Sequence, residues 1–294
     1  MTSKKKNKII LIIEYILVYL IFLLLSILPI NLVSLLGGCI FKIIGPLTNT
    51  HKIAKTNYLR IFPSAKSEEV KKQVINSWEN LGRTFFELLI LPKIMNSQNN
   101  RISVEGINFL EEIKKNGEQV IFFGIHQSNW EILLPTIDKM GIPVAGIYRH
   151  INNPYINNLI LKIRKKCIYS KKSFYTPKGK KSAKAIIEGI KNDTSIVLLI
   201  DQKDSAGEEV PFFNFPAKTQ TGFIKISKKY NLKIVPVQNI RNNNNTFTLK
   251  FHKPINQISN EISDINAMKN IHSIIEGWIK TNPSDWFLQH NRFS

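Results

Sequence analysis

Residues 9–28 form an almost unbroken apolar run, preceded by Lys4, Lys5, Lys6 and Lys8. As an α-helix, about 20 such residues match a hydrocarbon layer roughly 30 Å thick. The stretch is too long for the apolar part of a signal peptide, and no small-residue cleavage site follows it. Its charged residue, Glu14, lies about a turn and a half inside, near enough to the end to reach the interface or face a neighbouring helix. Pro29 and Asn31 break the run. A second apolar stretch, residues 32–44, is too short to span, so it is re-entrant, interfacial or the first core helix of the adjoining domain. The chain therefore reads as membrane-anchored. Residues 1–47 hold a basic segment, a transmembrane helix and an interfacial stretch, and residues 48–294 form a single domain. Lysines on both flanks, including Lys42, Lys52 and Lys55, leave the orientation open.

A chain of 294 residues buries a core without disulfides or structural metal. Cys39 and Cys167 are its two cysteines, and they show neither a disulfide framework nor zinc-ligand spacing. Lys and Arg number 41 against 21 Asp and Glu, a net charge of +20 that calls for an anionic partner. From Ser67 onward, Val70, Val74, Trp78, Leu81, Phe85 and Leu88 recur at helical steps, which predicts an amphipathic helix. Beyond an Asn-rich break at 96–100, apolar runs at 120–125, 144–148, 195–200 and 234–237 have the composition of strands buried on both faces. Helices are expected from Asn153-Pro154, over 182–191 and over 220–230, and a turn at 242–245 leads into an antiparallel strand at 247–251. A long amphipathic helix over 262–280 precedes the aromatic tail from Trp286. This alternation predicts an α/β fold, a mostly parallel central sheet flanked by helices, with the membrane-anchoring helix at its N-terminus.

No phosphate-binding glycine loop, dinucleotide fingerprint, nucleophile elbow or His-Glu-x-x-His motif occurs. What stands out is Gly124-Ile-His126-Gln-Ser-Asn129-Trp-Glu131, at the end of the first buried strand. On a continuous helix His126 and Glu131 would stand about 140° apart, so they pair only if His126 precedes the helix. Ser128-x-x-Glu131 is a capping-box signature that places the helix start there. An imidazole at the carboxyl end of a parallel strand, oriented by a carboxylate, is a general base where α/β folds hold their ligands. The spacing alone fits a structural role as well, with Glu131 capping a helix and His126 satisfied in the core.

These residues resemble the H-x-x-x-x-[DE] signature of the glycerolipid acyltransferase superfamily, in the form found in the late lipid A acyltransferases. The resemblance is collinear along nearly the whole chain. Asn57 to Pro63, then Trp78 to Arg83, is similar to the family's N-terminal helices, and Tyr148-Arg149 with residues 152–158 and Arg164 is similar to its second block. Asp201-Gln202, Val210 to Phe213 and Ala217-x-Thr219-x-x-Gly222 resemble the third. Val235-Pro236 and the closing Pro283, Trp286, His290, Arg292 and Phe293 complete it. Three places depart from the pattern. Gln127-Ser128 stands where an aromatic-Gly pair is common, Asn214 where glycine is usual, and Asn291 where arginine is frequent.

The resemblance implies an O-acyltransferase of lipid A and lipopolysaccharide biosynthesis. A lauroyl or myristoyl chain would pass from acyl carrier protein to a hydroxyl on the 3-hydroxyacyl chains of Kdo-lipid IVA. His126 would be the base and Glu131 its orienting carboxylate. A backbone N–H near Asn129 or the Arg149 guanidinium would hold the oxyanion, though Arg149 equally suits an acceptor phosphate. Arg164, Asp201 and Gln202 would bind or orient substrate, a structural turn role for the last two staying open. No metal is implied, and no cofactor beyond the acyl donor. The basic cluster between Lys162 and Lys184 would attract the acidic carrier protein, the acceptor phosphates and anionic inner-membrane lipids. Because the carrier protein is cytosolic, the catalytic domain would face the cytoplasm at the bacterial inner membrane. A single span with a cytoplasmic N-terminus contradicts that placement, so either the anchor lies partly in-plane or the N-terminal lysines are outside. Two other readings stand beside this one: acylation of a lysophospholipid or other bacterial amphiphile, and a non-enzymatic, membrane-tethered basic protein. Nucleic acid is not the expected partner, because aromatics are not interleaved with the basic cluster and no recognition motif occurs.

Overall fold

The computed structural model describes residues 7–98, 100–256 and 258–293; Lys4, Lys5 and Lys6, and the side chains of Lys180 and Lys181, lie outside the described residues. The Asn7 side chain accepts the Ile9 N–H and opens α1 (Lys8–Ile27), which coincides with the long apolar run. Pro29 caps the start of α2 (Ile30–Ile44), so the break between the two helices falls at the proline, whose fixed φ suits a helix entrance. Next come α3 (Thr50–Ile61), the long α4 (Ser67–Leu89) and the short α5 (Leu91–Met95). On α4 the expected stripe is buried at Val70, Val74, Trp78, Leu81 and Leu88; Phe85 departs from it, 44% exposed and resting on Phe41 of α2. The axes of α2 and α4 come closest where Gly37 meets Gly82, and a Cβ on either would overlap the other's carbonyl.

Strands and helices then alternate: β1 (Ile102–Glu105), α6 (Ile107–Lys115), β2 (Val120–Gly124), α7 (Leu133–Lys139), β3 (Val144–Tyr148) and α8 (Pro154–Lys165). They continue through β4 (Phe174–Pro177), α9 (Lys180–Lys191), β5 (Ser195–Leu199), β6 (Glu208–Phe212), β7 (Phe215–Thr219) and α10 (Gly222–Tyr230). The last are β8 (Lys233–Arg241), β9 (Phe247–Phe251) and α11 (Asp264–Thr281). Among the described residues, seven strands form one sheet in the order β1-β9-β8-β2-β5-β3-β4, parallel at every pairing except β8 with β9. This is the expected mostly parallel α/β sheet, with β8 and β9 as the expected antiparallel hairpin. All of β2 is buried, and its side chains alternate between two cores. Ile121 and Phe123 pack with α3, α10, α11 and most of α4, while Val120 and Phe122 pack with α5, α6, α7 and α8.

The sequence reading missed β1 and β4, four-residue strands at the two edges of the sheet, too short and too partly buried to carry a continuous apolar signal. It also missed the separate hairpin of β6 and β7. The two turn residues of that hairpin, Phe213 (φ 50°) and Asn214 (φ 63°), are both left-handed, as a type I′ turn requires. Asparagine tolerates that conformation better than most residues, which accounts for its standing at 214 where the family usually has glycine.

Candidate active site

Strands β2 and β5 are parallel neighbours with Gly124 opposite Leu199. Two residues beyond each strand end, the same register sets His126 beside Asp201. The His126 Nδ1 lies 2.8 Å from Asp201 Oδ1. The backbone N–H of His126 donates to both carboxylate oxygens at 3.1 Å. The indole N–H of Trp286, itself buried, donates to Oδ2 at 2.8 Å. Burial works to raise the Asp201 pKa, but the His126 charge, the ring and indole hydrogen bonds and the backbone N–H outweigh it and hold the carboxyl below its ordinary value.

On the other side of the ring, the Gln202 amide nitrogen stands 3.1 Å from His126 Nε2. The tautomer that satisfies both contacts has its proton on Nδ1, donated to Asp201, and a lone pair on Nε2 that accepts from Gln202. Trp130 and Phe287 flank the imidazole, with ring centroids 5.1 and 6.2 Å away. Its side chain remains 14% exposed, so Nε2 is reachable once Gln202 turns aside.

Glu131 does not meet His126 in this arrangement. Both its oxygens accept from Arg164 of α8, at 2.7 Å each, and the Arg164 guanidinium also faces the rings of Tyr148 and Tyr175. A carboxylate only 10% exposed is drawn to a bidentate cation, and Arg164 supplies one from across the β3–α8 connection. Burial works against ionisation of Arg164, but the Glu131 charge more than restores it and raises its pKa. The expected capping box is also replaced: Asn129 is the N-cap, its Oδ1 accepting the Glu131 N–H at 3.1 Å, and a single 3₁₀ turn (Trp130–Ile132) precedes α7.

The loop between His126 and Glu131 is buried and held from several elements. Ser128 has φ +52°, a left-handed conformation that explains why the family commonly places glycine there. The serine is compensated by hydrogen bonds: its N–H donates to the Asp285 carbonyl at 2.9 Å, its hydroxyl to the Asp285 carboxylate at 3.2 Å, and its carbonyl accepts from Thr84 at 2.8 Å. Asn239 of β8 donates to the Asn129 carbonyl. The Asn129 amide donates to Glu87 of α4 at 2.8 Å, so this side chain is committed to holding the loop. Glu87 is fully buried and also accepts from Ser34 of α2 at 2.6 Å and from Arg241 of β8 at 2.6 and 3.0 Å. Burial would raise its pKa, yet Arg241 and these donors hold it low. Sequence reasoning missed Glu87, Arg241 and Asp285, and placed Trp286 in a family block without a role at the site. A signal was present for the first: Ser77, Asn80, Thr84 and Glu87 form a polar stripe at steps of three and four on the side of α4 that the apolar residues mark as buried.

The tail backs the site. The Phe287 N–H donates to the His126 carbonyl at 2.9 Å, and His290 Nε2 accepts the Lys203 N–H at 2.9 Å. Burial lowers the His290 pKa to about 4, with Asp201 opposing and His126, Arg292 and Arg149 contributing charge. Arg149 is exposed one residue beyond the carboxyl end of β3, the strand beside β5 on the same parallel edge that carries His126 and Asp201. His272 is buried with its Nδ1–H on the Pro211 carbonyl at 2.7 Å. Its pKa is lowered to about 4, chiefly by burial, with Pro211 opposing and Arg292 adding. Among the described residues, no cluster of three or more His, Cys, Asp or Glu side chains is placed to hold a metal ion.

These two histidines set an acid limit on stability. The unfolded chain binds their protons near pH 6.5, while the fold refuses them until about pH 4, so stability falls as pH drops through that window. For His272 alone the loss between pH 7 and 5 is about 2 kcal/mol. Thermal melts at the two pH values should show His272→Gln removing a large part of the wild-type sensitivity, with His290, and His51 and His252, whose pKa values burial also lowers, supplying the rest.

The fold and site define a class: an α/β chain with a histidine–carboxylate pair at the carboxyl edge of a parallel sheet, and two apolar helices open on one side. The particular family emerges from comparison. The family described as bacterial lipid A biosynthesis acyltransferase matches residues 2–294, and the chain belongs to it. It is therefore an acyltransferase of lipid A biosynthesis, acting on a lipid A-type acceptor. No curated protein sequence matches the chain.

Proposed function

We propose that the protein transfers a lauroyl or myristoyl chain from acyl carrier protein to a 3-hydroxyacyl hydroxyl of Kdo-lipid IVA, with His126 as general base. The observation that carries this is the His126–Asp201 pair, with the ring's Nε2 on its reachable side, in a chain of the lipid A acyltransferase family. The acceptor hydroxyl displaces Gln202 and gives its proton to Nε2 as its oxygen attacks the thioester carbonyl. The tetrahedral oxyanion then collapses, the C–S bond breaks, and the carrier's thiolate leaves with the proton held by His126. The products are an ester and a free thiol, and the step draws on no metal or further cofactor.

Asp201 fixes the Nδ1–H tautomer and stabilises the imidazolium. Glu131 acts one place removed, by fixing Arg164 beside the site. A backbone N–H near Asn129, or Arg149, supplies the oxyanion donor, and Arg149 equally suits an acceptor phosphate. The exposed Lys162, Lys165, Lys166, Lys171 and Lys172 suit the acidic carrier protein, at the cytoplasmic face of the inner membrane. The test offers the purified protein lauroyl- and myristoyl-carrier protein with either Kdo-lipid IVA or a lysophospholipid. Ester formation on lipid IVA supports the acceptor, and ester formed solely on the lysophospholipid overturns it.

A further inference from the structure

We infer that α1 and α2 do not cross the bilayer but lie along one leaflet, each with one face on the catalytic domain and the other in lipid. Leu11, Glu14, Tyr15, Val18, Phe22 and Leu25, which share one helical face, are the covered stripe of α1, while Ile13, Leu17, Leu20 and Leu24 are 52–58% exposed. The covered stripe is docked from end to end. Near its start, the Asn153 amide donates to the Leu11 carbonyl at 2.8 Å and to Glu14 at 3.1 Å, and Tyr15 packs on Tyr155 at 5.9 Å. At its finish, the Lys93 ammonium donates to the Leu28 carbonyl at 2.7 Å.

From Leu11 to Leu28 an α-helix advances about 26 Å, most of the roughly 30 Å hydrocarbon layer. A spanning α1 would therefore draw the domain surface it touches, Asn153, α8 and Lys93 among it, across that layer. The exposed Lys162, Lys165 and Lys166 end α8, and charges at such depth are strongly disfavoured. The second helix repeats the constraint. Its Val33, Ser34, Gly37 and Gly38 are buried on α4, where Glu79 pairs with Arg83 at 2.6 Å and with Lys42 at 3.0 Å. Its Leu35, Ile40 and Ile43 are exposed. Two half-docked apolar helices can both be satisfied when the bilayer surface, rather than its normal, runs along them.

The occupant of the open face is an anionic leaflet. Exposed large apolar side chains run the length of both helices, a patch of the kind that marks a membrane or protein contact, and the exposed Lys8 of α1, Lys42 of α2 and Lys93 at the Leu28 carbonyl lie on or against these helices. A second copy of this chain would bring a like net charge of +20 to the same face. One consequence rests on the acyl-transfer reading. The β3–α8 connection, anchored to α1 through Asn153 and exposing Ile147 and Ile151 around Arg149, comes to the lipid surface. An acceptor lipid then reaches the site without leaving the leaflet.

The test places nitroxide labels singly at Ile13→Cys, Leu17→Cys, Leu20→Cys and Leu24→Cys in the full chain, in a Cys39→Ser background; Cys167 is 1% exposed. Depth is read from oxygen and nickel-chelate accessibility in vesicles of phosphatidylethanolamine and phosphatidylglycerol. One common depth, about 5–10 Å into the headgroup–acyl boundary, is expected. A depth that changes by about 1.5 Å per residue from Ile13 to Leu24 means a spanning helix and overturns the proposal. Labels shielded from both reagents mean a protein partner on this face and overturn it too. Acyl transfer is assayed on the same samples, so a flat profile without transfer counts against the proposed reaction and leaves the orientation standing.

Discussion

Asp201→Asn lowers kcat for acyl transfer by about 10³–10⁴ and leaves KM, the melting temperature and vesicle binding close to wild type. The amide oxygen, at the Oδ2 position, still accepts from the Trp286 indole and the His126 backbone, two contacts that brace residue 201 in the fold. What is lost is the carboxylate facing Nδ1. An amide nitrogen at 2.8 Å favours the opposite tautomer, with the proton on Nε2, where the acceptor hydroxyl needs a lone pair. Because Asp201 touches the base and not the substrate, the loss falls on kcat. A decrease under tenfold, or one confined to KM, means that Asp201 serves the turn after β5 and that His126 does not depend on it. Steady-state kinetics with a circular-dichroism melt decide the matter.

The largest effect on stability is expected at Glu87. Removing its carboxylate in Glu87→Ala leaves Arg241, whose side chain is 11% exposed, without its ion partner, and strips acceptors from Ser34 and Asn129. Breaking a buried pair from one side costs about 3–5 kcal/mol. In a chain of this size that lowers the melting temperature by on the order of 10 °C. Adding Arg241→Met to Glu87→Ala restores part of the loss, because the orphaned charge goes with it. Thermal melts of the two single variants and the double variant measure the coupling. A loss under 1 kcal/mol in Glu87→Ala, or purely additive effects, would show that this network does not hold the His126 loop.

Much of the fold was legible in the sequence because it rests on local pattern. The apolar run became α1, the step of three and four became α4, and four continuous apolar runs became the central strands. The elements that were missed carry little such pattern: β1 and β4 gain their hydrogen bonds only as sheet edges, and β6 is written Glu-Glu-Val-Pro-Phe. The site was legible in part for the same reason. His126 lies where a buried strand ends, which local reading can find. Its hydrogen-bonded partner is 75 residues away, and only the register of β2 against β5 brings it near. Glu131 was the carboxylate nearest in sequence, but Arg164, 33 residues further on, holds both its oxygens. The family resemblance named Asp201 and Arg164 as residues that bind or orient substrate, and gave the role of the histidine's carboxylate to Glu131. The left-handed φ of Ser128 and Asn214 gives a physical reason for glycine being usual at both places, and that reason was invisible without the backbone.

The most direct test of the account is the rate of acyl transfer from lauroyl- and myristoyl-carrier protein to Kdo-lipid IVA by wild-type and His126→Ala protein in the same vesicles. A fall of about 10²–10⁴ in the variant is predicted, with equal amounts of membrane-bound, folded protein. Equal rates in the two would contradict a general base at His126 and, with it, the catalytic role given to the His126–Asp201 pair.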